Sequence, residues 1–245
     1  MSPAASINPH LDRSALERCP DGACDGSGFV VGEDDVARPC SCRPQRIARA
    51  RTRSLEGSVP KKFQHVGFDR FPVTNMEPTT VREVRRFCDT IDEQLEAGRG
   101  LYFFGTKGTG KTTLAMLVSQ YAMRAKRTVA IYTTPWLLSH IRSTYEEGAK
   151  QTYLELMDRI ASADLLHLED MAVAKQSEWM LEQLYTIVNR RYEDERSILL
   201  TADVESPERL GEHIGDRTTS RIVEMCQEIA MFGDDHRVTA TAAAG

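Results

Sequence analysis

The chain has 245 residues, with 31 Lys or Arg against 36 Asp or Glu, a net charge of -5, and six cysteines. That length holds one α/β domain of roughly 170 to 190 residues with a buried core, plus a small appendage. The acidic balance excludes a protein that coats nucleic acid through bulk charge.

Membrane and export classes are excluded next. No apolar run reaches the roughly 18 residues of a membrane span, and the opening stretch MSPAASINPHLDRSALE lacks the apolar middle of a signal peptide. A cytoplasmic protein is expected, whose cysteines are metal ligands or buried thiols rather than disulfides.

In chain order, residues 1–18 read as a flexible N-terminus. Residues 19–45 form a Cys-rich module in which Cys19, Cys24, Cys40 and Cys42 are spaced C-x4-C-x15-C-x-C in a Gly/Asp-rich stretch too short for an apolar core. Four soft thiolates there suit tetrahedral Zn²⁺, whose binding energy is then folding energy; redox-active or free thiols are the other reading. His10 could replace one ligand, although a lone upstream His is more often solvated. Up to Lys62 there are 10 basic against 8 acidic side chains, and 21 against 28 after it, so the basic excess is N-terminal. Residues 46–75 read as a basic helix and linker.

The main domain is expected over 76–233. From Val81 the apolar positions Val84, Phe87, Cys88, Ile91 and Leu95 repeat at helical spacing until Gly98 and Gly100. The stretch LYFFGTKGTGKTTLA, residues 101–115, then reads as strand, loop and helix. Its spacing G-x-x-x-x-G-K-T lets the backbone of Gly105, Thr106, Lys107, Gly108, Thr109 and Gly110 cradle a phosphate chain. Lys111 reaches the outer phosphates, Thr112 offers a hydroxyl to Mg²⁺, Thr113 continues the motif, and the helix N-terminus faces the anion. Strands over Val129–Thr133, Leu165–Glu169 and Ile198–Ala202 alternate with helices over Trp136–Tyr145, Tyr153–Ala161 and Trp179–Tyr192, which predicts a parallel sheet with helices on both faces. Residues 234–245 read as a disordered tail.

Four further side chains carry the candidate chemistry. The strand ADLLHLEDM delivers Glu169 and Asp170 to its C-terminal end, where ligands bind in open α/β sheets. Glu169 is read as holding the Mg²⁺ shell and Asp170 as polarising the attacking water, against a solvated acidic turn. Thr201 and Asp203 end the next strand, where either could sense the terminal phosphate or serve as plain turn residues. Arg217 and Arg221 lie four apart on one helical face; an arginine offered to a neighbouring subunit's phosphate stabilises the transferring charge, and a surface salt bridge is the alternative. Cys88 and Cys226, at helical spacing among apolar residues, read as buried inert thiols, His167 as a packing or supporting residue, and Trp136 and Trp179 as packing anchors.

The segments CDGSGFV…PCSCR, GLYFFGTKGTGKTTLA, DLLHLEDM, LEQLYTIVNRRYEDERSILLTADV and RTTSRIVEMC, in this order over residues 19–232, resemble the bacterial replicative-helicase loaders of the DnaC/DnaI type and the related IstB transposition ATPases. The resemblance implies an AAA+ P-loop ATPase domain with a short or absent lid, since only 24 residues follow Arg221. It implies Mg-dependent ATP hydrolysis, self-association through the ATP interface, Ser220-Arg221 as a finger acting in trans, and a replicative ring helicase as partner. It also places the segment 136–161, with Arg142, Lys150, Arg159, Tyr145 and Tyr153, where the family meets single-stranded DNA. An IstB-like partner of a transposase and a nucleotide-gated adaptor with little turnover are the alternatives; a small-molecule kinase lacks its arginine-bearing lid insertion. The sequence departs from the family in Glu169 for Asp, Asp203 for Asn, and C-x4-C for C-x2-C.

Overall fold

The computed structural model describes residues 19, 21–32, 34, 36–43, 59–172 and 177–235. The expectations for residues 1–18, His10, the basic helix between 44 and 58, and the tail from 236 lie outside the described residues. The chain divides into two units, residues 1–51 and 52–245.

In the first unit, β1 (Phe29–Val31) and β2 (Ala37–Pro39) pair antiparallel, Phe29 opposite Pro39 and Val31 opposite Ala37. Both strands are exposed along their whole length. The buried cluster here is made of sulfur: Cys19, Cys40 and Cys42 are buried and Cys24 packs against them. The Arg43 guanidinium covers the Phe29 ring at 4.0 Å.

The second unit is built on five parallel strands, β3 (Gly100–Phe104), β4 (Val129–Thr133), β5 (Leu165–Glu169), β6 (Ser197–Ala202) and β7 (Cys226–Ala230), in the order β4-β5-β6-β3-β7. Strands covered on both faces carry continuous apolar runs, and β3, β5 and β6 are buried at every position. Successive side chains alternate between the faces. Leu101, Phe103, Leu165 and Leu199 pack with α1 (Pro78–Asp89), α2 (Ile91–Glu96) and α3 (Lys111–Arg124). Tyr102, Phe104, Leu166, Leu168 and Leu200 pack with α4 (Thr134–Ser143), α5 (Tyr153–Ser162) and α6 (Glu178–Glu193), and with the short α7 (Gly211–Ile214) and α8 (Asp216–Met225). Among the described residues no helix is long and apolar enough to cross a membrane.

Three local findings differ from the sequence reading. The helix expected across 81–95 is two helices, because Thr90 leaves helical geometry and its hydroxyl donates to the Arg86 carbonyl, competing with the backbone ladder. Cys226, read at helical spacing, opens the edge strand β7, whose Gln227 and Glu228 are exposed and whose Ile229 is buried. Residues 59–75 carry Val59, Phe68 and Val73 into the core beside Met76, and form 3₁₀ turns at Lys61–Phe63 and Val73–Asn75.

A buried arginine ties the lower edge of the sheet together. Arg191 of α6 donates to the carbonyls of Ile160 and Ala161 in the last turn of α5, of Ala163 and Asp164 just after it, and of Ser197 at the start of β6. Burial first, and then the Arg196 charge, brings its pKa down to about 9. The guanidinium so anchored fixes where β5 and β6 begin, and therefore where their C-terminal ends deliver side chains.

Candidate functional site

β3 ends at Phe104 and α3 begins at Lys111, so the phosphate loop spans six residues at the C-terminal edge of the sheet. Gly105 has φ +131 and lies so close to the Met231 carbonyl that a Cβ would collide with it. Gly108 has φ +79, and the Asp235 carboxylate lies against its bare Cα. Only glycine accommodates both demands. Thr106 and Gly233 exchange hydrogen bonds of 3.0 and 3.2 Å, and Met231 N–H donates to the Phe104 carbonyl at 2.8 Å. Asp235, expected at the start of a disordered tail, therefore follows a segment laid along the loop.

Lys111 is buried and its ammonium donates to the carbonyls of Gly105 at 3.0 Å and Thr106 at 2.6 Å. Its third partner is Asp203 Oδ1 at 2.7 Å. Thr109 closes the loop with a bond to the Thr106 carbonyl. Lys107 and Thr106 are exposed, Thr112 and Thr113 half-buried.

Between the loop strand β3 and the acidic strand β5 lies β6. Glu169 spans that gap with its longer side chain: Oε2 accepts from Thr112 at 2.6 Å and from Thr201 at 3.0 Å, while Oε1 meets His167 Nε2 at 2.6 Å. Burial pushes its pKa up, but the bonds from His167, Thr112 and Thr201 outweigh that and hold it below the usual glutamate value. A carboxylate and a hydroxyl side by side are an all-oxygen donor set, which suits Mg²⁺. Asp170 follows with φ +58, its N–H bonded to Thr201 Oγ1 at 3.1 Å and its side chain exposed at the rim.

Arg221 lies on α8 against α6, its guanidinium over the rings of Tyr185 at 4.9 Å and Tyr192 at 5.5 Å. Arg217, one turn earlier, is exposed. Trp136, read as a packing anchor, is 46% exposed and stacks on Tyr132 at 5.2 Å. Trp179 is covered by Arg142 at 4.6 Å. Burial raises the pKa of Cys88 and Cys226 far above the ordinary thiol value, in keeping with inert thiols.

In the first unit the sulfurs of Cys19, Cys24, Cys40 and Cys42 all lie within 4.8 Å of one another. Cys19 and Cys40 are 3.8 Å apart and Cys24 and Cys42 3.6 Å. Tetrahedral zinc with sulfur at about 2.3 Å sets its ligands about 3.8 Å apart, so the cluster could hold that ion. The backbone N–H of Cys24 draws the Cys19 thiol down to about 6, while burial and the neighbouring thiols push Cys42 up to about 12. A dication accommodates all four as thiolates. Purified protein is expected to contain about one zinc per chain by elemental analysis and to release it on Cys40→Ser with Cys42→Ser. Metal-free protein that retains the β1–β2 pairing in its amide spectra would contradict this.

The family model described as IstB-like ATP binding protein matches residues 40–244. The chain belongs to this IstB-like ATP-binding family. Among curated relatives of this IstB-like protein, the phage-like element PBSX protein XkdC of Bacillus subtilis is 26% identical over 218 residues, 83% of this chain and 78% of the relative. The replicative helicase loader DnaC of Buchnera aphidicola subsp. Schizaphis graminum is 24% identical over 163 residues, 65% of each chain. A crystal structure of the DnaC helicase loader superposes with a TM-score of 0.61 at 20% identity, over 70% of this chain and 99% of that one. A DnaI crystal structure gives 0.54 at 21% identity, over 75% and 92%. The fold of this IstB-like protein is thus the AAA+ arrangement of DnaC, preceded by a four-cysteine module.

Thr201, read in the sequence as a phosphate sensor or a turn residue, and His167, read as a packing or supporting residue, both bond the Glu169 carboxylate. The alternation of β5 was the signal for His167, two residues before Glu169 and so on the same face. Met76 and Met231, whose side chains crowd Gly110, carried no local signal.

Proposed function

We propose that the chain is a cytoplasmic, ATP-hydrolysing helicase loader that assembles around nucleotide, engages single-stranded DNA and presents a ring helicase to it. The observation that carries this reading is the Glu169 carboxylate, held by Thr112 of the phosphate-loop helix and by Thr201, in a chain whose relatives include named helicase loaders. In this reading Lys111 meets the outer phosphates of ATP and the loop N–H groups wrap the chain. Thr112 and Glu169 hold Mg²⁺, which when bound neutralises charge on the phosphate oxygens. Asp170, exposed at the rim, orients and deprotonates water. Arg221 reaches a second copy's phosphates, for which its guanidinium must leave the Tyr185 and Tyr192 rings of its own chain.

The DNA part is supported by aromatic surface on α4 and α5. Trp136, 46% exposed, stacks on the buried Tyr132 at 5.2 Å, and Tyr145, 58% exposed, stacks on Tyr153 at 5.7 Å. Exposed rings such as those of Trp136 and Tyr145 stack bases without reading their identity. The cysteine module, a separate unit with an exposed hairpin, is assigned to docking the helicase. Deleting residues 1–45 should spare ATP binding and abolish helicase capture in a pull-down; capture by the truncated protein would move the docking surface to the ATPase domain. An IstB-like role beside a transposase is the alternative, and the same pull-down with transposase tests it.

The Lys111–Asp203 ion pair favours a second reading, a nucleotide-gated adaptor with little turnover. A carboxylate on Lys111 competes with phosphate for the same ammonium, and ATP must break that pair before Asp203 can sense its terminal phosphate. A half-buried pair is worth about 1 kcal/mol, or about fivefold in Kd. Asp203→Asn is therefore expected to tighten ATP binding about fivefold in a fluorescence titration. Unchanged affinity would show that the pair does not oppose nucleotide.

A further inference from the structure

On the α3 side of the sheet three polar side chains stand in line, all buried: Ser119, His167 and Glu169. A buried imidazole beside a buried carboxylate is costly unless its polar atoms are matched. Here both ring nitrogens are. Ser119 Oγ lies 2.8 Å from Nδ1, and Nε2 lies 2.6 Å from Glu169 Oε1. An ionised carboxylate can only accept, so Nε2 carries the hydrogen of that bond, and Nδ1 shares the other bond with the Ser119 hydroxyl.

The line joins the two elements that matter at the site. Ser119 sits on α3, the helix that begins at Lys111 and carries Thr112, and His167 shares β5 with Glu169. A glutamate has one more rotatable bond than the aspartate its position resembles, and therefore more ways to point away from a metal. His167 removes that freedom at Oε1, leaving Oε2 toward Thr112 and Thr201.

We propose that His167, braced by Ser119, is a positioning residue that aims the Glu169 carboxylate at the magnesium ion of bound ATP. The proposal rests on the reading of Glu169 as the magnesium-holding acid. When the Thr112 hydroxyl turns from Oε2 toward the metal, Oε1 keeps its bond to His167, and the carboxylate stays in place without rearranging. Partners that orient metal ligands in this way are typically worth about 10-fold to 100-fold in metal affinity.

The test is the Mg²⁺ concentration that half-saturates the magnesium-dependent gain in affinity for a fluorescent ATP analogue, a binding readout independent of turnover. His167→Leu is expected to raise that midpoint about 10-fold or more. His167→Gln, whose side-chain amide can still donate near the Nε2 position, is expected to stay close to wild type, and Ser119→Ala to fall between. Folded His167→Leu protein with the wild-type midpoint would overturn the proposal. If His167→Leu does not fold, Ser119→Ala decides, and an unshifted midpoint there overturns it. Glu169→Gln separates the two readings: a wild-type midpoint in that variant refutes the role of Glu169 and this proposal with it. A shifted Glu169→Gln beside unshifted His167→Leu and Ser119→Ala refutes the role of His167 alone.

Discussion

Lys111→Ala is expected to abolish measurable ATP binding, whereas Asp170→Asn is expected to bind ATP normally and lose hydrolysis. The two differ because of when each side chain acts. Lys111 is buried and already donates to the carbonyls of Gly105 and Thr106, so the ammonium holds the loop in shape as well as facing phosphate. Removing it leaves two carbonyls and the Asp203 carboxylate in the cradle without their cation. A charged hydrogen-bonded partner in such a site is worth about 3 kcal/mol, roughly 100-fold in Kd. Asp170 lies exposed at the rim and donates its backbone N–H to Thr201, a bond that the Asn variant keeps while losing the carboxylate base. Loss of a general base costs about 100-fold to 10,000-fold in turnover. Equilibrium binding and steady-state phosphate release on both variants check the pair of outcomes; normal turnover by Asp170→Asn would remove the acidic strand from the mechanism.

Arg221→Ala is expected to bind nucleotide normally and to hydrolyse about 1000-fold more slowly, the typical weight of an arginine that stabilises a transferring phosphoryl group. Mixed with Asp170→Asn protein it should recover activity, since a mixed interface can pair an intact Asp170 with an intact Arg221 from the other copy. The Arg221 guanidinium lies over the Tyr185 and Tyr192 rings of α6, so a thermal melt beside the assay separates lost packing from lost chemistry. Mixtures assayed at concentrations where both proteins assemble provide the measurement, and no recovery would argue that Arg221 acts within its own chain or only as a surface contact.

The parts of the site legible in the sequence are those written within a few neighbouring residues. The phosphate loop is one, because its glycines, Lys111 and Thr112 must follow one another to form the cradle. Glu169 is another, because an apolar run ending in acids is how a buried parallel strand meets its ligand. The four cysteines were legible because nothing else in that stretch could form a core. What escaped depended on distant chain meeting distant chain. The bond between His167 and Ser119, 48 residues earlier, is one such meeting. Asp203 reads as a phosphate sensor or a turn residue, and nothing near it in the chain announces its ion pair with Lys111, 2.7 Å away. The edge strand β7 has the burial pattern of a half-exposed segment and follows directly on α8, so Cys226 reads at helical spacing. Residues 59–75 deliver Val59, Phe68 and Val73 to the core at intervals with no period, which no pattern of 2 or 3.6 residues detects.

One measurement tests the loader role most directly: retention of the cell's replicative ring helicase on a circular single strand of DNA, a substrate with no end for a closed ring to thread. With this protein and ATP present, helicase is expected to co-elute with the circle, and to do so neither with the Lys111→Ala protein nor in the absence of ATP. Helicase retained equally well without the protein, or no retention under any nucleotide condition while the protein binds a transposase, would contradict it.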